Sequence, residues 1–528
     1  MNKRKVSTQV LLSFLMMMFL MVFGCSSSDN TPAPPSANDS TVVGQATITG
    51  TVSGTTVVAI NESNVEVARM TATGNPKAFN LVLPITSPTP HIYRFYLIEN
   101  EGTSDESIYP LYQGTTNAFT IATVATNLNP TIALGVITIT NGVATPANNP
   151  ISVNTGVSSA RENKLVPEIL LSGTPPTGPL SDLVNNGLEY LKNGSIFKAK
   201  AYFKAAVAIA DTSNDGDTAR FFYAVTRVAG VNLYSDGNSA DLNSVGDFLD
   251  NAGCSSGGRG FGNSTMTCPE ILPVATPTGS QMQTFAYNVI RPELEAALVN
   301  LNAVSISFTK TWTTPFDLTT PYKSDYADVL VYKAAIKGAL AAINTQYAYN
   351  LGANIATEVN NKTNTVQAFL SSNTDFLKLA SGYLTYLAAA KTYLSNAADD
   401  LSAAIDIINV SGRNTATYLI NLQSVSPDDI SKAKSELALA KSSLTSQQTV
   451  YNNDTPSDTT DDYIINLSKF AGLNLRSPNL LPPFAGNNVS GPFPDKTMGG
   501  VIVQFGSLQN GINTDTNPAD GIPDILEN

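Results

Sequence analysis

Residues 186–206 contain Asn186-Gly187-Leu188-Glu189-Tyr190-Leu191-Lys192-Asn193-Gly194, then Ala199, Phe203 and Ala206, and they show how the chain changes period. From about residue 178 apolar positions recur every 3.6 residues, the repeat of one helix face, whereas upstream they recur every two. Gly187, Tyr190, Gly194, Ala199, Phe203 and Ala206 are spaced three, four, five, four and three apart. Such small side chains let two antiparallel helices touch, and the aromatic rings fill the space beside them. A further helix is expected over 218–231, with Phe221, Phe222, Val225 and Val228 apolar.

Upstream, 46–52, 56–60, 79–83 and 91–97 are short runs of β-branched and aromatic residues separated by Gly, Asn and Pro. Their spacing is that of an all-β sandwich of roughly seven strands. Downstream, helices are expected at 281–301, with Pro292 kinking or dividing the first, and at 325–355, 365–408 with a break inside, and 429–447. Apolar stripes run through Val329, Ile336, Leu340 and Ile343, through Leu377, Leu384 and Leu387, and through Ile430, Ala433, Leu437, Ala440 and Leu444. They read as bundle core or, more sharply, as the lining of a ligand groove between helices. Beyond Asp462, five prolines from Pro478 to Pro494 argue for an extended segment.

The six spaced positions around Phe203 resemble the tetratricopeptide repeat, though Pro is missing after Ala206 and no third copy is legible. The run Gly50-Thr51-Val52, Val57-Val58-Ala59, Gly74 and Phe79-Asn80-Leu81-Val82-Leu83-Pro84 resembles the carboxypeptidase regulatory-like domains, which implies an accessory module with no catalytic residues to transfer. The expected fold class is therefore α+β multidomain. An N-terminal β-sandwich over 41–152 precedes a mainly α-helical, tetratricopeptide-like bundle over 178–475 and an extended C-terminal segment over 476–528.

The N-terminus carries an address. Lys3, Arg4 and Lys5 precede an apolar run of about 14 residues, Val10 to Phe23, and then Gly24-Cys25. That order is a secretion signal, and the run is short of the ~20 residues a membrane-spanning helix needs. Val22-Phe23-Gly24-Cys25 resembles the lipobox of bacterial lipoproteins, which implies removal of residues 1–24 and a diacylglyceryl group on Cys25. Residues 25–40, rich in Ser, Pro, Asn and Asp, make a flexible tether. Ser26 after the lipid site resembles lipoproteins sorted to the outer membrane.

Losing residues 1–24 removes Lys3, Arg4 and Lys5 and no acid, which takes the formal charge from −12 to −15. With no basic patch, such a surface repels phosphate backbones and excludes nucleic acid as a partner. With Cys25 lipidated, Cys254 and Cys268 remain in an oxidising compartment and are expected to pair. The bridge closes a loop of about 15 residues with four glycines, a closure worth ~3 kcal/mol by chain-entropy reasoning.

One loop carries ligand chemistry. Asn513, Asp515, Asn517, Asp520 and Asp524 supply oxygens within residues 513–524, with alternation at the start, and a hard cation such as Ca²⁺ takes six to eight such oxygens. The Asp-Gly-Ile-Pro-Asp stretch resembles the acidic calcium repeats of extracellular proteins. Two readings stand: a calcium loop, or a polar tail whose residues favour turns. Asp211-Thr212-Ser213-Asn214-Asp215-Gly216-Asp217 reads better as an inter-helix turn, and Asp399-Asp400 and 458–462 as solvated acidic runs.

Catalysis has little support. The sole histidine, His91, lies in a strand, and no Gly-x-Ser-x-Gly elbow is present. The chain is accordingly read as a non-enzymatic binding or scaffold lipoprotein of the cell envelope, anchored by lipid and meeting a protein or envelope component through its helices. The alternatives are capture of a small molecule or glycan in the helical groove, and a hydrolase using a scattered carboxylate pair.

Overall fold

Strands come first along the chain and helices follow, a mixed α+β protein. The computed structural model describes residues 44–505 apart from 53–55, 62–64, 86–90, 102–105, 115, 122–128, 141–142, 154–156, 160–169, 171–175, 194, 230–250, 253–270, 274–275, 315–316, 361–365, 411–416, 421–425, 446–448, 452–462, 471, 474, 476–483, 486–487 and 490–501.

Among the described residues ten strands lie between 44 and 159: β1 (Gly44–Val52), β2 (Thr56–Asn61), β3 (Glu66–Thr71), β4 (Lys77–Ile85), β5 (His91–Glu99), β6 (Ser107–Pro110), β7 (Phe119–Ile121), β8 (Thr131–Thr140), β9 (Val143–Pro146) and β10 (Val157–Ser159). About seven were expected. The short strands β6, β7, β9 and β10, three or four residues each, are too brief to display a period. One sheet has the order β4-β1-β8-β9. The other runs β10-β7-β5-β2-β3, with β6 also on β5.

Both sheets contribute to one core. Ile48, Phe79, Leu81, Leu83 and Ile132 come from the first sheet, and Val57, Tyr93, Phe95, Leu97 and Phe119 from the second. Central β5 is buried on both faces, because Tyr96 and Ile98 pack with Val58, Ile60, Ile108 and Leu170 on its other side. Strand β8 changes phase midway: Ile132 and Leu134 are buried, then Ile137. The cause is a bulge at Gly135, whose φ is +71° and beyond which the parallel pairing with β1 slips by one residue. A Cβ on Gly50 would come within 2.9 Å of the Gly135 carbonyl, so the two glycines let β1 and β8 approach at the bulge.

The chain then enters a short helix, α1 (Pro150–Val153), and beyond it the helical region begins with α2 (Leu180–Lys192), α3 (Ile196–Ala208) and α4 (Asn214–Ala229). Helices α2 and α3 form a hairpin whose contact depends on a missing side chain: a Cβ at Gly187 would sit 2.7 Å from the Phe203 ring. Phe203, Ala199 and Ala206 are fully buried, and Phe203 stacks on Phe222 of α4 at 5.6 Å. Residues 211–213 turn the chain into α4. Ser213 Oγ accepts from the Gly216 amide at 3.2 Å, and Arg220 donates to the carbonyls of Ala210 and Asp211 just after α3.

Helix α5 (Gly279–Phe285) continues through a π-helical turn, Ala286–Ile290, into α6 (Arg291–Asn302). Pro292 stands in the first turn of α6. The wider turn just before it accommodates a ring that would strike the carbonyl four residues back. A hairpin that periodicity did not foretell follows: β11 (Thr309–Thr314) and β12 (Asp317–Asp325). Its threonines give no apolar alternation, and its anchor is Trp312, the sole tryptophan, which packs edge-on to Phe222 at 4.8 Å and donates to Ser324 Oγ at 3.0 Å.

Asp325 and Asp328 form a capping box at the start of α7 (Tyr326–Tyr347). This helix was expected to reach 355 and stops eight residues short. Asn350 Oδ1 takes the Gly352 amide at 2.7 Å, and the Asn350 backbone pairs with Leu377 and Lys378 instead of continuing the helical ladder. Then come α8 (Ile355–Asn360), α9 (Val366–Ser372), α10 (Tyr383–Val410) and α11 (Pro427–Leu444). The stripe Val329, Ile336, Leu340 and Ile343 is buried. That of α10 is not as expected: Leu377 precedes the helix with φ +65°, and Leu384 is 64% exposed. Its inward face is Leu387, Ala390, Ala397, Ala404 and Ile408, dominated by alanines seven apart. Beyond α11 lie β13 (Thr449–Tyr451), β14 (Tyr463–Ile465), a short β15–β16 pair (Phe484–Ala485 with Asn488–Val489) and β17 (Ile502–Phe505), which joins β13 and β14 in one sheet.

Because Trp312 sits in the helical core, its fluorescence reports that region alone. In denaturant titrations Gly187→Val should lower the tryptophan-detected midpoint by the equivalent of about 2 kcal/mol, the cost of overpacking a closed contact. An unchanged midpoint would mean that the α2–α3 contact is not close.

Candidate functional site

Two seams meet on α10. Ala327 and Leu330 near the start of α7 pack on Ala404 and Ile408 near the end of α10, while Ala348 just after α7 packs on Leu387, so the two helices run antiparallel. On the other side Lys441 of α11 bonds Asp399 at 2.5 Å, and Lys434 bonds Asp406. Both the carboxylates and the lysines stand seven residues apart, which sets α11 antiparallel to α10 in heptad register. Of the expected solvated pair, Asp399 is exposed, its side chain at 57%, whereas Asp400 is sheltered at 12%. Successive helical positions point about 100° apart, so Asp399 serves α11 while Asp400 takes Lys337 at 2.5 Å and Lys333 at 3.9 Å on α7.

That second cluster is unbalanced. Two ammonium groups four positions apart share one carboxylate, and all three side chains are only 12–14% exposed. Desolvation first, then Lys337, hold the Lys333 ammonium below the ordinary lysine value of 10.5. A shallow cleft of about 440 Å³ lies along the α10–α11 seam, lined by Ala398, Ser402, Leu437, Ala438 and the Asp399–Lys441 pair.

A second groove, of about 550 Å³, forms where α5, the end of α7 and the start of α10 converge. Its position depends on Gly279: a Cβ there would fall 1.8 Å from the Leu351 carbonyl, and the Gly279 amide bonds the Ala353 carbonyl at 2.9 Å. Ser280, Gln283 and Thr284 stand at i, i+3 and i+4 of α5 and form one wall. Gln283 locks that wall to the segment after α7, donating to the carbonyls of Gln346 and Tyr349 at 2.6 Å and accepting from the Leu351 amide at 3.0 Å. Asn350, Ser381 and the exposed Asp375–Lys378 pair, 2.7 Å apart, form the other.

Tyrosines line the groove between these walls. Tyr347 stacks on Tyr287 at 4.0 Å and 16°, and Tyr386 meets both rings edge-on, at 5.0 Å from Tyr347 and 5.4 Å from Tyr287. The Arg291 guanidinium lies 3.9 Å from the Tyr287 ring centre and 3.3 Å from Glu295. Desolvation, then Tyr287 and Tyr347, push the Tyr386 phenol above its ordinary range. Tyr349 is buried, and its hydroxyl donates to the Leu473 carbonyl at 3.0 Å, tying the later chain to the groove. The arrangement can hold a ring against aromatic surface while hydroxyls and amides reach its edges.

Cys25, the pair Cys254 and Cys268, and the loop of Asn513, Asp515, Asn517, Asp520 and Asp524 lie outside the described residues, as does 458–462. Among the described residues no group of three or more His, Cys, Asp or Glu could hold a metal ion, and no helix is long and apolar enough to cross a membrane. His91 is half-buried on β5, edge-on to Tyr93 at 6.3 Å. The tyrosines were missed because they fall outside the apolar stripes. The legible signal was Tyr347-Ala348-Tyr349-Asn350 at a helix end, with Tyr383 and Tyr386 at the next helix start. No protein-family model, curated protein or solved structure matches this chain.

The lysine cluster gives a signed expectation. The unfolded chain holds the Lys333 proton more tightly than the folded one, so stability rises with pH between the depressed folded value and 10.5. Lys333→Met should abolish that slope and raise stability at pH 7 by about 1 kcal/mol, whereas Asp400→Asn, which leaves two ammonium groups facing each other, should lower it by about 3 kcal/mol. Equal, near-zero effects in chemical denaturation would show the cluster to be solvated.

Proposed function

We propose that this protein is a lipid-anchored, non-enzymatic binding protein of the cell envelope that captures a small polar ligand in the tyrosine-lined groove of its helical region. In this reading Cys25 carries the lipid in the outer membrane, residues 26–40 are the tether, the two-sheet module is an accessory sandwich, and Cys254 and Cys268 form a staple. The carrying observation is the groove itself: about 550 Å³, within the ~300–1,000 Å³ of small-molecule sites, with tyrosines between two polar walls. Ca²⁺ at Asn513, Asp515, Asn517, Asp520 and Asp524 belongs to the same proposal as a stabiliser of the C-terminal segment.

The second reading is a scaffold for a protein partner. The Gly187–Phe203 contact favours it, since it is the kind of small-to-aromatic packing on which the tetratricopeptide resemblance rests.

Two measurements test the proposal. Cys25→Ser should move the protein from the membrane pellet to the soluble fraction, and continued sedimentation with membranes would refute the anchor. Native mass spectrometry of protein released from its own membranes should reveal a bound small molecule that is lost from Thr284→Arg, a change on the exposed groove wall. Protein free of any small molecule but crosslinked repeatedly to one partner would favour the scaffold.

A further inference from the structure

We infer that the groove's ligand is an uncharged glycan, a pyranose ring seated against Tyr347 and Tyr386. This rests on the capture reading and deepens it. Three features of the groove converge on that chemistry.

The first is the aromatic lining. A tyrosine face is electron-rich and receives the C–H edge of a saturated ring, and Tyr347 and Tyr386, in edge-to-face contact 86° apart at 5.0 Å, form a corner of the lining that offers aromatic surface. The corner is braced from behind, because Tyr287 backs Tyr347 and Arg291 backs Tyr287. Bracing of this kind pre-sets the rings and lowers the cost of ordering them on binding.

The second is the character of the walls. Ser280, Thr284, Ser381 and Asn350 are neutral hydroxyl and amide groups, matched to the alternating donors and acceptors of a sugar's rim. Among the described residues the charged members of the lining, Asp375 and Lys378, form an ion pair 2.7 Å apart, so the described lining carries no net charge. A phosphorylated, sulfated or strongly cationic ligand would find no complementary field there.

The third is shape. The groove is open to solvent and not an enclosed cavity, which accommodates a chain continuing past the bound ring as well as a free monosaccharide.

The experiment is a binding screen of the secreted domain, residues 26–528, against immobilised neutral oligosaccharides built of glucose, mannose, galactose, xylose and N-acetylglucosamine. A parallel set carries uronic acid, sialic acid or sulfate. Binding to members of the neutral set is expected, weakened at least tenfold by Tyr386→Ala and by Thr284→Arg, with Tyr386→Phe close to wild type. Thr284→Arg replaces an exposed side chain, so its loss of binding with an unchanged melting curve separates the groove from a folding defect. Preference for the charged set, or neutral binding indifferent to both variants, would overturn the inference. If native mass spectrometry finds another class of molecule held in the groove, the glycan inference fails while the capture reading stands. Failure of every glycan, with no small molecule retained, would sink both.

Discussion

The antiparallel seam between α7 and α10 is the contact on which the helical region depends. Alanines spaced seven apart on α10 let the two backbones come close, and close approach is what places Asp400 against Lys333 and Lys337. The same seam carries the end of α7 to the start of α10, where Tyr347 and Tyr386 meet. Because one long helix faces α7 on one side and α11 on the other, adjacent residues Asp399 and Asp400 serve different neighbours. Asp399 and Asp406 thus set α11 against α10, and Asp400 sets α7 against it.

Interruptions of regular structure build the groove. Helix α7 ends where Asn350 satisfies its own loop, α5 passes into a π turn ahead of Pro292, and α10 begins after a segment in which Leu377 and Gly382 adopt positive φ. The breaks after α7 and before α10 free backbone groups that Gln283 and the pairing of Asn350 with Leu377 and Lys378 then satisfy. Helix ends meeting at one place yield this concave surface. In the strand region the corresponding device is the Gly135 bulge opposite Gly50, which reverses the inward phase of β8 and keeps both of its halves on the common core.

The two-sheet module and the helical region are joined by an ion pair as well as by the chain. Lys198 of α3 reaches Glu106, just before β6, at 2.8 Å, with both side chains about 15% exposed or less, and its ammonium also lies 5.8 Å from the Tyr190 ring. A pair so sheltered is screened less by salt than a surface pair, and it orients the α2–α3 hairpin against the sheet that carries β5.

Sequence by itself determined the order of strands before helices, the position of the period change near residue 178, the helix start at 325 and the break at Pro292, and the small-to-aromatic packing around Gly187 and Phe203. These are local properties, written in periodicity and in the backbone demands of Gly, Pro and Asp. Tertiary structure decided which face of α10 turns inward, because alanines register as weakly apolar in a sequence stripe yet win a close helix contact over the exposed Leu384. It also decided the roles of Asp399 and Asp400, the Trp312 hairpin and the tyrosine corner, whose members are Tyr287, Tyr347 and Tyr386. Such assemblies have no period to read. Their parts are distant in the chain and become one surface only when helix ends are brought together.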